Sequence, residues 1–382
     1  MPDKRVTRRD FLKICGKSVS LLALFSGVIR FDAPARAESE SPLFVNSLIR
    51  GEEQLKVVFL QRHNEEKSDS FLLMYLSEAG LDLTLHDGGL NDRQTYMALM
   101  NLREEILAKA NVPEAEKARY MLNFRMVISH FHMDHTEGLY GLIVRTRKKL
   151  HVDEVYMPPA TALPRGIYSD AHNGDLTHRV KLHDALKKFQ PHAVVHTLSF
   201  GDTCIIPTDC GEIRLFAPVS DWAEESKRDL FETGYGYKNA ASRPTSLPIA
   251  ILNANSMWMR ASLGDHVFLF TGDVEKRIPE RNDEPMDEMI AAYGEALRAD
   301  IIKYPHHGQQ RNAAAALIRD KLITSKAERM CILTAANAPQ QAGAALQSIS
   351  LPWIGIENGS LIYTVKNGRM TIEIINNATQ FL

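Results

Sequence analysis

Directly after the apolar run Met126-Val127-Ile128, the chain places three imidazoles and a carboxylate close together, in His130-Phe131-His132-Met133-Asp134-His135. Imidazole and carboxylate donors suit zinc, manganese and iron alike. On a strand, residues i and i+2 project to one side, so His130 and His132 can grip one ion. Asp134 and His135 stand past the strand end, where the chain turns, and can face a second ion nearby. The competing arrangement is a polar loop of hydrogen-bonded histidines. The apolar run before the cluster and Gly138 just after it favour the metal site.

The 382 residues leave room for one large domain or two modest ones. Hydrophobic residues at 45% and charged residues at 24% are enough to bury a sizeable core. A formal net charge of −2 argues against a strong non-specific grip on nucleic acid. Besides Cys15, the cysteines are Cys204, Cys210 and Cys331, and they lack the C-x-x-C spacing of a thiolate zinc site. Cys204 and Cys210 could close a short disulfide in an exported protein, or remain thiols.

The N-terminus has the layout of an address. Arg8-Arg9-Asp10-Phe11-Leu12-Lys13 resembles a bacterial twin-arginine signal. A moderately apolar stretch, Ser18 to Ile29, follows and is too short to span a bilayer as a stable helix. Ala35-Arg36-Ala37 then offers a small-x-small cleavage site. Residues 1–37 are therefore expected to be a signal peptide read by the twin-arginine export machinery. The mature protein would be periplasmic or secreted, with no stable membrane span. Residues 38–52 read as a polar linker, and residues 53–382 as one domain.

Within that domain, Leu55 to Leu60, Phe71 to Leu76 and Leu81 to Leu85 read as strands, ending in the turn Asp87-Gly88-Gly89. Residues 92–122 have helical spacing, and Pro113 divides them into two helices. Residues 158–192 read as an insertion. Ala193 to Leu198, Thr203 to Ile206, Ile213 to Phe216, Leu247 to Leu252, Ser256 to Ala261 and Val267 to Phe270 have β character. Met286 to Leu297 and Ala313 to Lys326 are expected helices. Met330 to Leu333 is a strand, and Leu361 to Val365 with Met370 to Ile375 form a hairpin around Asn367-Gly368. Strands followed by helices, twice over, imply an α+β fold of two packed sheets with helices outside.

The histidine cluster resembles the first metal motif of the metallo-β-lactamase superfamily, and two later segments match that family's other motifs. Phe268-Leu269-Phe270-Thr271-Gly272-Asp273 is similar to its strand-Thr-Gly-Asp element, and Ile302-Lys303-Tyr304-Pro305-His306-His307-Gly308 to its last histidine motif. The resemblance implies the αββα sandwich of that superfamily, with two mixed sheets packed together. It implies that His130 and His132 bind one ion and Asp134 and His135 the other, that Asp273 bridges both, and that His307, or else His306, serves the second. Zinc is the first choice of metal, with manganese or iron open.

Ser246-Leu247-Pro248-Ile249-Ala250-Ile251, read with the two later motifs, narrows the resemblance to the soluble domain of the DNA-uptake protein ComEC and its stand-alone relatives. It covers residues 54 to 375 and is strong at three short motifs. Two departures stand out. The family's third histidine for the first ion has no match, and where the ComEC-like group has an Asn-Ser pair this chain has Thr245-Ser246. His172, His178 and His183 could compensate or be solvated. Gln309-Gln310 replaces a small hydroxyl residue after the last motif.

The resemblance implies a metal-dependent hydrolase that attacks a phosphodiester or related ester with a metal-activated water, Asp134 orienting that water or taking its proton. The alternatives are β-lactam or lactone hydrolysis, and a secreted metal-binding protein that has lost turnover. Substrate contacts would come from residues 158–192 and 220–245, where Trp222, Tyr235, Tyr237 and Arg243 could line a pocket.

Overall fold

The strands form where apolar side chains alternate between two buried sides. In β1 (Gln54–Phe59) and β2 (Phe71–Leu76), Leu55, Val57, Phe59, Phe71, Leu73 and Tyr75 join one buried cluster. Val58, Leu72, Met74 and Leu76 join another. A strand covered on both faces reads as a continuous apolar run. These observations come from a computed structural model that describes residues 29–31, 42–60, 69–90, 92–146, 149–159, 178–222, 246–278, 284–308, 314–334, 338, 342–356 and 360–375.

The first sheet adds β3 (Leu81–His86), β4 (Tyr120–Val127), β5 (Leu150–Met157) and β6 (Val194–Thr197). The second sheet contains β7 (Thr203–Pro207), β8 (Glu212–Phe216), β9 (Trp258–Leu263), β10 (His266–Phe270), β11 (Ile301–Lys303), β12 (Met330–Leu333) and β13 (Trp353–Gly355), in that spatial order. The chain then returns to the first sheet as the hairpin β14 (Ser360–Lys366) and β15 (Arg369–Ile375), giving the order β15-β14-β1-β2-β3-β4-β5-β6. Asn367 and Gly368 both take positive φ in the hairpin turn (50° and 69°), as the expected Asn-Gly turn requires.

Both sheets are mixed. β3 to β6 run parallel, joined by α1 (Asp92–Lys109), α2 (Met133–Thr146) and α3 (Arg179–Phe189). β10 to β13 run parallel in the other sheet. Phe59, Phe71 and Phe270 fill the space between the sheets, with Phe71 and Phe270 centroids 5.2 Å apart. Leu102, Ile106, Leu142, Ile143, Leu182 and Leu186 bring the first three helices onto the outer face of the first sheet. Met286 and Met289 of α5 (Pro285–Tyr293), which follows α4 (Ser246–Ala254), pack with Leu269 and Ile302 outside the second. This is the expected α+β sandwich of two sheets between helices.

Several sequence expectations are corrected. Leu247 to Leu252 is helix, not strand: it lies within α4, and Pro248 falls in the first helical turn, where a missing N–H costs nothing. A short apolar run cannot distinguish the two states by periodicity. Past Pro113 there is no second long helix, only a 3-10 turn at Lys117–Arg119 before β4 begins at Tyr120. The supposed insertion contributes α3, the crossover from β5 to β6. Within the supposed linker, residues 42–52 pack: Val45, Leu48 and Ile49 are buried, and Asn46 Nδ2 donates to the carbonyls of Leu81 and Asn123. Cys204 and Cys210 are both free; Cys204 sits mid-strand opposite Leu215, and the Cys210 thiol, in the hairpin turn, donates to Leu76 O at 3.5 Å.

Residues 1–28 and 32–41 lie outside the described residues, and with them the twin-arginine segment, nearly all of the apolar stretch and the Ala37 site. Ile29–Phe31 pairs antiparallel with Ile49–Gly51. Among the described residues, no helix is long and apolar enough to cross a membrane.

Candidate metal centre

Parallel strands direct their carboxyl ends to one edge of a sheet, where α/β proteins place their sites. Here both sheets do so at the same place. Asp87 follows β3, residues 129–135 follow β4, Asp273 follows β10, residues 303–307 end and follow β11, and Thr334 follows β12.

Local chemistry explains the turn after β4. Thr136 Oγ1 donates to His132 O at 2.9 Å, and the amides of His135 and Thr136 donate to the same carbonyl. Asp134 stands in the first turn of α2, where a carboxylate meets the positive end of the helix dipole. The loop Asp87-Gly88-Gly89 clamps this turn. Gly88 N donates to His135 O at 2.7 Å and Gly138 N to Gly89 O at 2.9 Å. A Cβ on Gly138 would lie 2.0 Å from Gly88 O, so only glycine allows the approach. His130 and His132 therefore stand in the loop beyond β4, not on the strand, yet they still meet, with His130 Nε2 3.0 Å from His132 Nδ1.

Four side chains, Asp69, His135, Asp273 and His307, each offer a ligand atom, and those atoms lie within 4.8 Å of one another. Asp273 Oδ2 is 3.3 Å from His135 Nε2 and 3.0 Å from His307 Nε2. Asp134 Oδ2 is 3.3 Å from His307 Nε2, and the His130 and His135 rings are 4.1 Å apart. The structure thus gathers His130, His132, Asp134, His135, Asp273 and His307 at one place. His306 stands beside them with a different partner: its Nδ1 is 3.2 Å from Glu275 Oε1. Both His306 and His307 take positive φ (48° and 58°), conformations that non-glycine residues hold only where the surroundings impose them.

Sequence reasoning missed the residues behind these. Asp87, fully buried, accepts from Ser129 N at 2.8 Å, from Ser129 Oγ at 2.6 Å, and from His135 Nδ1 at 2.8 Å. Asp69 Oδ1 and Thr334 Oγ1 lie 3.1 and 3.0 Å from His307 Nδ1. A carboxylate on Nδ1 fixes the tautomer that leaves Nε2 free for an ion. Asp69 is close enough to offer an oxygen too, but its Oδ1 faces His307 Nδ1 at 3.1 Å and its Oδ2 lies 2.5 Å from Lys303 Nζ, so with both oxygens engaged it orients rather than ligates. The available signal was a charged residue at or just beyond an apolar strand: Asp87 after Leu85-His86, Lys303 after Ile301-Ile302, Asp69 before Phe71.

Among the described residues, neither His178 nor His183 supplies the missing third histidine. His172 lies outside the described residues, His178 Nδ1 pairs with Glu137 at 3.3 Å, and His183 is exposed. An Asn-Ser pair does stand at the site, ten residues beyond Thr245-Ser246. Asn255-Ser256 leads into β9, and Ser256 Oγ accepts from Asp273 N at 3.2 Å. Of the proposed pocket residues, Trp222 is buried, with its amide donating to Asn255 Oδ1 at 3.2 Å; Tyr235, Tyr237 and Arg243 lie outside the described residues.

The donor set fits a metal. Among the described residues, Nε2 of His132, His135 and His307 is buried and finds no hydrogen-bond partner. Asp69, Asp87, Asp134 and Asp273 bring four carboxylates against the single ammonium of Lys303, a deficit of positive charge that a buried site cannot leave uncompensated. Without an ion the histidines take up that role. Burial opposes charging His135, but Asp273 and Asp87 outweigh it and hold its pKa well above the ordinary value. His307 is likewise disfavoured by burial yet raised to about 9 by Asp273 and Asp69. Burial lowers His132 to about 4, against the raising charges of Asp134 and Asp273.

No family model matches the chain, and no curated protein matches it. Solved structures similar to it include unliganded yeast PDE1, at 12% identity over 79% of this chain and 97% of that one, with a TM-score of 0.43. Zn(2+)-bound PqqB from Methylobacterium extorquens is similar at 10% identity over 83% and 99%, with a TM-score of 0.40. The MIM-2 metallo-β-lactamase is similar at 14% identity over 74% and 87%, with a TM-score of 0.29.

Proposed function

We propose that this chain is an exported metal-dependent hydrolase of the metallo-β-lactamase superfamily, in its ComEC-like branch, acting on a phosphodiester or related ester. One observation carries the hydrolase reading. Nε2 of His135 and of His307, each oriented from behind by a carboxylate, converge on one oxygen of Asp273, with His130, His132 and Asp134 beside them. His130 and His132 would hold one divalent ion, Asp134, His135 and His307 the other, and Asp273 would face both. Zinc is the first expectation, with manganese or iron admitted by the same donors. Bound ions would supply a water acidified towards neutrality and stabilise developing negative charge.

The chain's own residues do the rest. Asp87 and Asp69 hold the two imidazoles in one tautomer. Asp134, 28% exposed, is the carboxylate of the cluster that reaches the solvent side; it would orient the attacking water or accept its proton. Support for a phosphodiester rests on the three sequence motifs and their ComEC-like spacing, and support for export on the order of Arg8-Arg9, the apolar stretch and Ala35-Arg36-Ala37.

The test is hydrolysis of bis-p-nitrophenyl phosphate by protein loaded with zinc or manganese, alongside nitrocefin and a lactone panel. Phosphodiester turnover that disappears in Asp134→Ala is expected. Turnover confined to nitrocefin or the lactones would move the chain to the alternative substrate class. Less than one tightly bound ion per chain, with no turnover, would sink the hydrolase reading. Export is checked separately: replacing Arg8 and Arg9 by lysine should retain the unprocessed chain in the cytoplasm.

A further inference from the structure

Among the described residues, Lys303 is the one buried charge of the centre that neither holds an ion nor orients an imidazole. It ends β11, opposite Phe270 in the parallel register with β10, so its side chain runs beneath the Thr271-Gly272-Asp273 turn. It is 1% exposed. An ammonium has three donors and no acceptor; here two hydrogen bonds and one ion pair surround it. Nζ lies 2.6 Å from Gly272 O, 3.0 Å from Asp273 Oδ1 and 2.5 Å from Asp69 Oδ2. Asp69 uses its other oxygen on His307 Nδ1 at 3.1 Å. Asp273 turns its other oxygen to His135 Nε2 and His307 Nε2.

We propose that Lys303 is a positioning residue that makes Asp273 a one-oxygen ligand: by engaging Oδ1 it leaves Oδ2 alone to face both ions. A carboxylate without such a partner can rotate and offer one oxygen to each ion, or both to one. Lys303 removes that freedom, and through Asp69 it ties the setting of Asp273 to the orientation of His307. Its positive charge repels cations, so its place in the centre is not explained by ion retention. This inference rests on the two-ion reading above.

The test uses the full chain loaded with manganese, with ion content and the exchange coupling between the ions read by electron paramagnetic resonance. Coupling depends on the atoms that join two ions, and a purely structural lysine would not set it. Wild type is expected to hold two coupled ions. Lys303→Met should keep both ions while the coupling falls at least twofold. Lys303→Arg should do the same, because a planar fork pairs with one carboxylate and cannot meet three separated acceptors; it also carries the test if the methionine variant does not fold. Unchanged coupling in the variants, loss of an ion from both, or failure of both to fold would overturn the positioning role. Wild type that binds no manganese or zinc would instead overturn the metal centre itself.

Discussion

Asp87→Asn separates shape from tautomer at this centre. The asparagine is nearly isosteric, and its two ends are not equivalent. Placing the amide nitrogen toward Ser129 N would set two donors face to face, at a contact that is 2.8 Å in the parent. The lower-cost choice keeps the oxygen there and turns the NH2 group toward Ser129 Oγ and His135 Nδ1, now 2.6 and 2.8 Å from a carboxylate oxygen. The hydroxyl can reorient and accept; the imidazole accepts at Nδ1 only by moving its proton to Nε2, the atom that faces Asp273 at 3.3 Å. The nitrogen meant for the ion is then blocked. Removing a carboxylate behind a ligating histidine costs about 10–100-fold in metal affinity, or about 1.4–2.8 kcal/mol at roughly 1.4 kcal/mol per decade. Competition titration against a chromogenic chelator reads this directly. A variant that binds both ions within twofold of wild type would refute the tautomer argument.

Three further outcomes follow from the geometry. Gly138→Ala puts a Cβ against the Gly88 carbonyl, a backbone atom that cannot swing away, so denaturant unfolding should show a loss of at least about 1–3 kcal/mol, the usual cost of overpacking; an unchanged midpoint would refute the clamp. His307→Ala should lose an ion by mass spectrometry while His306→Ala keeps both, and the reverse ranking would exchange their roles. In excess chelator, His307, raised to about 9 from 6.5, contributes stability that is full below pH 6.5 and lost as pH climbs through about 9; His132, lowered to about 4, contributes stability present above 6.5 and lost as pH falls through about 4. Thermal melts from pH 4 to 10 should therefore peak between these limits, and a melting temperature still rising at pH 9 would contradict the charge assignment.

Much of the frame was legible because its strands are buried on both faces and contrast sharply with polar turns, as in Phe71 to Leu76. The cluster at residues 130–135 was legible because four donors fall together in sequence. Leu247 to Leu252 was misread because nine residues of apolar helix and apolar strand look alike. Asp69, Asp87 and Lys303 were missed for a different reason. Each acts through a partner distant in sequence, and a lone charge beside an apolar strand is too common a pattern to single one out; only the crossing of two sheets shows that Lys303 and Asp69 meet.

The hairpin β14–β15 returns late to pair with β1, Leu361 opposite Phe59. His307 likewise finds Asp69 across 238 residues. The centre is therefore a late product of assembly. As the chain emerges from the ribosome, β1 waits with an open apolar edge until residues 360–366 arrive to cover it. Non-local pairing of this kind slows folding and lengthens exposure to aggregation. An N-terminal fragment carrying all of His130 to His135 would still lack Asp273, Lys303 and His307, so ion capture should mark the completed chain and can serve as a clock for its folding.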